Sequence, residues 1–266
     1  MIELPLLPAV DWSICLRDAR TGAVLAEQRS EQQLRTASVG KIFLLIEVAR
    51  QIAAGELDPA ERVERRPDEW VEDSGLWYLM SENSLTISDL CFLVGAFSDN
   101  LATNVLVRRI GIDATGRTSR ALGWSRSELL DRIRPDRGPQ DPPTLSRGTG
   151  GELSDVMARL FRGEVIDEPA SRQVLRWLAA GADLSMVAAA FDLDPLAHAE
   201  PDRGITLINK TGTIGVARID IGVVTGPTGT VGYAVLANWD PRQDSRDQVL
   251  AGMREIGSRI RVAVGG

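Results

Sequence analysis

Lysine is nearly missing from this chain of 266 residues. There are two, Lys41 and Lys210, against 28 arginines. There is one histidine, His198, and there are two cysteines, Cys15 and Cys91. A zinc site has too few soft ligands to be built from that set, so neither a metal nor another cofactor is expected. A Ser-His-Asp hydrolase would have to use His198, which lies in the polar stretch Leu196-Ala197-His198-Ala199-Glu200 and reads as an ordinary surface residue. No apolar run nears the ~18 residues of a membrane span; Ile42–Ile46 and Cys91–Phe97 are among the longest. No basic block interleaved with aromatics occurs, and the net charge is −7 with a pI near 5.0. Nucleic acid is therefore not the expected partner. No phosphate-cradling glycine loop occurs. The start, Met1-Ile2-Glu3-Leu4-Pro5, lacks a positive segment and has Glu3 and Asp11 close by, so no secretory signal is read and a cytoplasmic protein, a monomer, is expected.

What is present begins with the lysines. Arginine supplies permanent charge on a planar fork, whereas a buried lysine loses its proton readily. A chain that uses arginine almost everywhere else and keeps two lysines suggests amine chemistry at both. Lys41 closes Ser38-Val39-Gly40-Lys41, and Lys210 opens Lys210-Thr211-Gly212-Thr213, with Ser98-Asp99-Asn100 between them.

The chain reads as strands at both ends and helices in the middle. Residues 12–18 and 23–28 form a hairpin across Ala19-Arg20-Thr21-Gly22. A strongly apolar helix runs from Ser38 to Ala54, with Gly55 closing it. Residues 60–83 are loop-rich. Ser88-Asp89 caps a helix over 90–97, and another helix starts at Asp99 or Asn100 and reaches Ile110. Residues 125–150 lack a regular period. Thr149 caps a helix through Leu160, and 170–191 is helical. Strands at 205–210, 219–225 and 231–239 precede a closing helix over 245–262. The expected fold is α/β in the α+β sense: one antiparallel sheet built from both termini and flanked by helices, with an all-helical domain inserted. The division is 1–37 with 200–266 against 38–199, and the active site lies at their interface.

Each motif has a plain and a chemical reading. Ser38 and Lys41, three apart, share a helix face, with the hydroxyl at the positive helix end and the ammonium among Ile42-Phe43-Leu44-Leu45. That setting lowers the lysine pKa and gives the serine a base. Alternatively Ser38 is a cap and Lys41 a snorkelling chain. Ser98-Asp99-Asn100 is either an N-cap cluster or a proton relay (Ser98) with an amide (Asn100) holding a substrate carbonyl or Lys41. Lys210-Thr211-Gly212-Thr213 is either a strand running into a hairpin or a site. In the second reading Lys210 sets the potential, Thr211 and Thr213 bind a carboxylate, and Gly212 leaves room for substrate.

Together and in this order the three motifs arise by accident at a rate on the order of one in a hundred or less. The trio resembles the signature of the class A β-lactamases and the related penicillin-binding DD-peptidases. The resemblance spans nearly the whole chain. It implies that Ser38 is the acylated nucleophile and Lys41 the general base, that Ser98 passes a proton to the leaving nitrogen, and that Lys210 supports it. It implies an oxyanion hole from the N–H groups of Ser38 and Thr213, a carboxylate-binding Arg218 on the neighbouring strand, and Trp77 as an aromatic wall at the mouth of the site. In disulfide-bearing relatives the position of Cys91 pairs with the one that is Leu45 here, so both thiols are expected free.

The chain departs from the family twice. The loop from Leu130 to Gly148 has no glutamate to activate a deacylating water; Asp131, Asp136 and Asp141 are its carboxylates, with Glu128 and Glu152 outside it. The family's long first helix, and any export signal before it, look absent or shortened. The expected activity is acylation of Ser38 by a small cyclic amide, a β-lactam, with slow deacylation. A DD-peptidase- or esterase-like hydrolase of another amide or ester, and a β-lactam-binding protein that stays acylated, are the alternatives.

Overall fold

A computed structural model describes residues 9–198 and 200–266. The strands are β1 (Val10–Asp18), β2 (Val24–Gln28), β3 (Leu34–Arg35), β4 (Arg62–Glu64), β5 (Ser84–Thr86), β6 (Glu128–Leu129), β7 (Ser146–Gly148), β8 (Thr206–Ile214), β9 (Ala217–Thr225) and β10 (Thr230–Trp239). The helices are α1 (Lys41–Ala53), α2 (Ile87–Phe97), α3 (Asn100–Ile110), α4 (Ile112–Ala121), α5 (Gly150–Arg162), α6 (Glu168–Ala179) and α7 (Arg246–Ala263).

The main sheet has the order β2-β1-β10-β9-β8 and is antiparallel throughout. Its central pairing joins the two ends of the chain, with Val10 opposite Trp239 and Asp18 opposite Val231. The period-2 alternation of side chains gives the sheet two apolar faces. Val231, Tyr233, Val235, Ala237 and Trp239 face the layer containing α7, whereas Ala234 and Leu236 face the layer containing α1 and α5. A fully two-sided sheet explains why these strands read as nearly continuous apolar runs.

Helix α1 is the axis of the helical layer. Its first nine residues, Lys41–Ala49, are all buried, and it packs against α2, α3, α4 and α6. The run Ile42–Ile46 is apolar on every side and has no solvent face, so it must be enclosed, while Glu47 further along is buried against Arg50 and Gln51. The cation just before this run, Lys41, is carried inside with it.

Several local expectations change. Ser38 sits in a separate 3-10 turn, Ala37–Gly40, ahead of α1. Helix α2 begins earlier than Ser88-Asp89, because Thr86 caps it by accepting a hydrogen bond from Asp89 N–H. Helix α4 had no sequence signal strong enough to read. The stretch 170–191 breaks after α6 and resumes as a 3-10 turn, Val187–Phe191, that packs against α7. His198 is buried, not at the surface, and its Nδ1 lies 3.1 Å from the Asp194 carbonyl oxygen. Cys15 and Cys91 are buried and unpaired. No helix among the described residues is long and apolar enough to cross a membrane.

Candidate active site

Where α2 ends, Ser98 adopts a left-handed conformation at φ 54°. Few residues other than glycine hold that backbone without support. The support comes from Asp99, which is fully buried. One of its carboxylate oxygens caps α3 by accepting from Ala102 N–H, and the other accepts from Leu76 and Trp77 N–H at 2.7 and 2.8 Å. The reversal at Ser98 turns both its carbonyl and its hydroxyl toward the start of α1.

There the buried ammonium of Lys41 donates to Ser98 O at 2.5 Å, to Ser98 Oγ at 3.2 Å and to Asn100 Oδ1 at 2.7 Å. Three oxygens thus surround Nζ, enough to take all three N–H donors of the protonated form. The Asn100 amide is locked in turn, since its Nδ2 donates to the Asp73 carbonyl. Asn100 therefore holds Lys41, one of the two roles open for it. Burial pushes the Lys41 pKa well below its usual value; the positive charge of Lys210 pushes the same way, while Asp99 and Asp73 oppose both.

Lys210 lies within β8, which continues to Ile214 instead of ending at this motif. Its Nζ donates to Ser98 Oγ at 3.1 Å and to the Thr211 carbonyl at 2.9 Å. Burial lowers its pKa to about 8 against the opposing fields of Asp183 and Asp220. Beneath it Asp220, opposite Thr211 on β9, is fully buried. It accepts from Asn209 Nδ2 and Tyr233 OH, each at 3.1 Å, and from Ala188 N–H at 3.3 Å. Burial raises its pKa to about 7, and the nearby Asp183 charge adds to that.

Ser38 is half-exposed and lines a cavity of about 760 Å³ together with Ser98, Asn100, Lys210, Thr211 and Thr213. Gly212 serves this closeness differently from expectation. A Cβ there would stand 2.4 Å from the Thr36 carbonyl oxygen, 3.1 Å from Val39 N and 3.3 Å from Ser38 N. The missing side chain makes room for the serine turn against β8, not for a ligand.

Three other expected positions move. Trp77 is fully buried and donates from Nε1 to the Glu82 carbonyl, so it is core and not a wall of the cavity. Arg218 lies opposite Thr213, but its Nη1 donates to the Ile214 and Ala217 carbonyls and its guanidinium stacks 5.9 Å from the Trp239 ring, away from the cavity lining. The hydroxyl of Thr211 donates to Asp183 Oδ2 at 2.7 Å, which leaves Thr213 as the exposed hydroxyl of the pair. Asp73, Asp183, Arg134 and Arg137 also line the cavity and were not singled out for it. They lie far from the motifs in sequence, and only the closing of loops brings them in.

The long loop is pinned by a small sheet, β3-β7-β6, and by Asn104, which donates to Ile133 O and accepts from Ile133 N–H. Asp131, which is buried, accepts from Arg134 Nε at 2.8 Å and from Arg137 Nη1 at 2.6 Å. Burial alone would raise the pKa of Asp131, but these guanidiniums outweigh it and hold the carboxyl below its usual range. Among the described residues no group of carboxylates, histidines and cysteines could hold a metal ion.

Comparison with known proteins bears on the same arrangement. The β-lactamase of Sphaerobacter thermophilus DSM 20745 superposes with a TM-score of 0.80 at 22% identity, over 95% of this chain and 91% of that one. A β-lactamase from Xanthomonas campestris pv. campestris gives 0.79 at 21% identity, over 96% and 92%. A mutant of PBP-A, solved as an acyl-enzyme complex with penicillin G, gives 0.80 at 19% identity, over 96% and 90%. At these identities the likeness establishes the class A β-lactamase fold. Residues 8–263 match the sequence model described as the Beta-lactamase enzyme family, and with that match over nearly its whole length the chain belongs to the β-lactamase enzyme family.

Proposed function

We propose that this protein is a serine hydrolase that opens β-lactams by acylating Ser38 and releases the acyl group slowly. The observation that carries this reading is the convergence of Lys41 and Lys210 on the Ser98 hydroxyl, beside a half-exposed Ser38 in the same cavity. The domain division expected from sequence puts this cavity at the interface of 38–199 with 1–37 and 200–266. The substrate is a small molecule, the acting species is a monomer, and no nucleic acid takes part, as the net charge of −7 favours. A cytoplasmic location suits two unpaired buried thiols.

In the reaction Ser38 Oγ attacks the amide carbonyl and its proton passes to neutral Lys41 Nζ. The carbonyl oxygen carries the charge of the tetrahedral intermediate, facing the N–H groups of Ser38 and Thr213. The C–N bond then breaks. The nitrogen takes the hydroxyl proton of Ser98, which accepts from Lys41 and Lys210 and so has its own proton free for the leaving group. The Ser98 oxygen regains a proton from Lys41, which leaves that amine neutral again. Hydrolysis of the ester needs a water and a base. The loop presents Arg134 and Arg137 to the cavity, and its Asp131 is engaged with both. This favours a long-lived acyl-enzyme.

The test is time-resolved intact mass after a penicillin pulse. Wild type is expected to gain one penicillin mass, and Ser38→Ala none. A full-mass adduct on Ser38→Ala would remove Ser38 from the nucleophile role.

A further inference from the structure

The arginines that line the cavity beside Ser38 have their counter-charges outside the lining or, for Arg35, no ion pair among the described residues. Arg35, Arg134 and Arg137 line it. The carboxylates that pair with them do not: Asp131 is buried behind Arg134 and Arg137, and Asp141 lies 3.3 Å from Arg134 Nε outside the lining. Arg35 is exposed on β3, and none of the salt bridges among the described residues includes its side chain.

Two carboxylates do face the cavity, and both stand beside lysines. Asp183 accepts from Thr211 Oγ1 and Ser185 Oγ and raises the pKa of Lys210. Asp73 raises that of Lys41, and its carbonyl holds Asn100. The carboxylates of the catalytic end thus stand within the lining, whereas Asp131 and Asp141 pair with the loop arginines from outside it, and Arg35 has no ion pair among the described residues.

Each guanidinium has five N–H donors. The hydrogen bonds of Arg134 use only Nε, and those of Arg137 use only Nη1, toward Asp131 and the Pro142 carbonyl. The remaining donors form a fork suited to a carboxylate. The ion pairs behind them fix the fork in place, so little rotamer freedom is lost on binding. Asn104, one helical turn beyond Asn100 on α3, holds Ile133 from both sides and so ties the residue before Arg134 to the helix that carries Asn100. The leaving nitrogen belongs at Ser98 and Lys210, so a group at the loop is on the acyl side.

We propose that Arg134 and Arg137, with Arg35 adding to the field, form a subsite for a carboxylate on the acyl portion of the substrate. The preferred substrates are then amides whose acyl side chain is anionic. This inference rests on acylation of Ser38 and specifies which acyl groups that serine takes.

The test compares benzylpenicillin with its α-carboxy analogue, which share one nucleus and differ by one carboxylate. The rate constant for adduct formation is read by intact mass at low and high salt. The carboxylated compound is expected to react roughly ten-fold faster or more at low salt, an advantage that shrinks as salt screens the partly exposed arginines. Arg134→Gln and Arg137→Gln should each bring the ratio toward one, and Arg134→Lys, which keeps the charge but not the fork, should fall between. A wild-type ratio at or below one, or a ratio unmoved in both glutamine variants, overturns the subsite while leaving acylation intact. Should Arg134→Gln fail to fold, Arg137→Gln and Arg35→Gln carry the same comparison. No adduct from either penicillin overturns the acylation reading, and this inference with it.

Discussion

Lys41 and Lys210 donate to the same oxygen, Ser98 Oγ, at 3.2 and 3.1 Å. Two ammonium groups on one hydroxyl repel each other in a buried setting, and the cheaper state has one of them neutral. Lys41 is the one whose pKa is driven further down, and burial is the main cause. It lies three residues from Ser38, and the proposed mechanism uses it as the base and Lys210 as the charge.

That assignment predicts that Lys41→Arg is nearly as damaging as Lys41→Ala. A guanidinium keeps the charge but does not give up a proton near neutrality. The rate of adduct formation should drop by roughly 10²–10⁴ in both variants. Acylation by Lys41→Arg within a few-fold of wild type would show that Lys41 acts only as a charge.

The rate of acylation should depend on pH with two limbs. It rises as Lys41 loses its proton, below the usual lysine range, and falls as Lys210 loses its own near pH 8. Asp220→Asn removes a negative charge that raises the Lys210 pKa, so the alkaline limb should move to lower pH. The same variant should change stability. The native pKa of Asp220 is raised above its unfolded value, so wild type binds more protons when folded and loses stability as pH rises from about 4 to about 7. That part of the slope should vanish in the variant. Chemical denaturation at several pH values, with acylation profiles on the same samples, checks both; an unmoved alkaline limb would mean Lys210 does not set it.

Gly212→Ala should cut acylation by about a hundred-fold while the protein still folds. Its Cβ would meet backbone atoms of the serine turn, the nearest at 2.4 Å, and backbone gives way only by moving β8 or Ser38. A shift of about 1 Å in a reacting group costs on the order of 10² in rate. A near-normal rate in a folded Gly212→Ala protein would show that the contact between β8 and the serine turn is not critical.

Turnover should show a burst of one equivalent per Ser38 and then a slow phase. Asp131→Asn should leave the slow phase unchanged or faster, because that carboxylate is tied to Arg134 and Arg137 and does not serve a water. Linear hydrolysis without a trapped adduct would reveal a base elsewhere in the cavity. A further loss of turnover in Asp131→Asn would identify that base.

The sequence by itself determined the antiparallel sheet, the enclosed helix α1 and the three motifs. These are local or periodic properties: alternating apolar residues, a helix whose first turns carry a continuous apolar run, and residue types whose spacing is short. It also determined that the loop lacks a glutamate, since composition needs no coordinates. Tertiary structure decided everything that depends on distant segments meeting. Trp77 looked available for the mouth of the site, but Asp99 binds its N–H and the core takes its ring. Arg218 is in register with Thr213, yet the hairpin carbonyls and Trp239 claim its guanidinium. Asp183 and Asp220 bear on Lys210 only because β9 pairs with β8 and the 180–188 segment closes over them. The charge facing a cavity depends on which partner of an ion pair points inward. Arg134 and Arg137 line the cavity while Asp131 and Asp141 stay outside the lining, in a loop that Asn104 of α3 holds at Ile133.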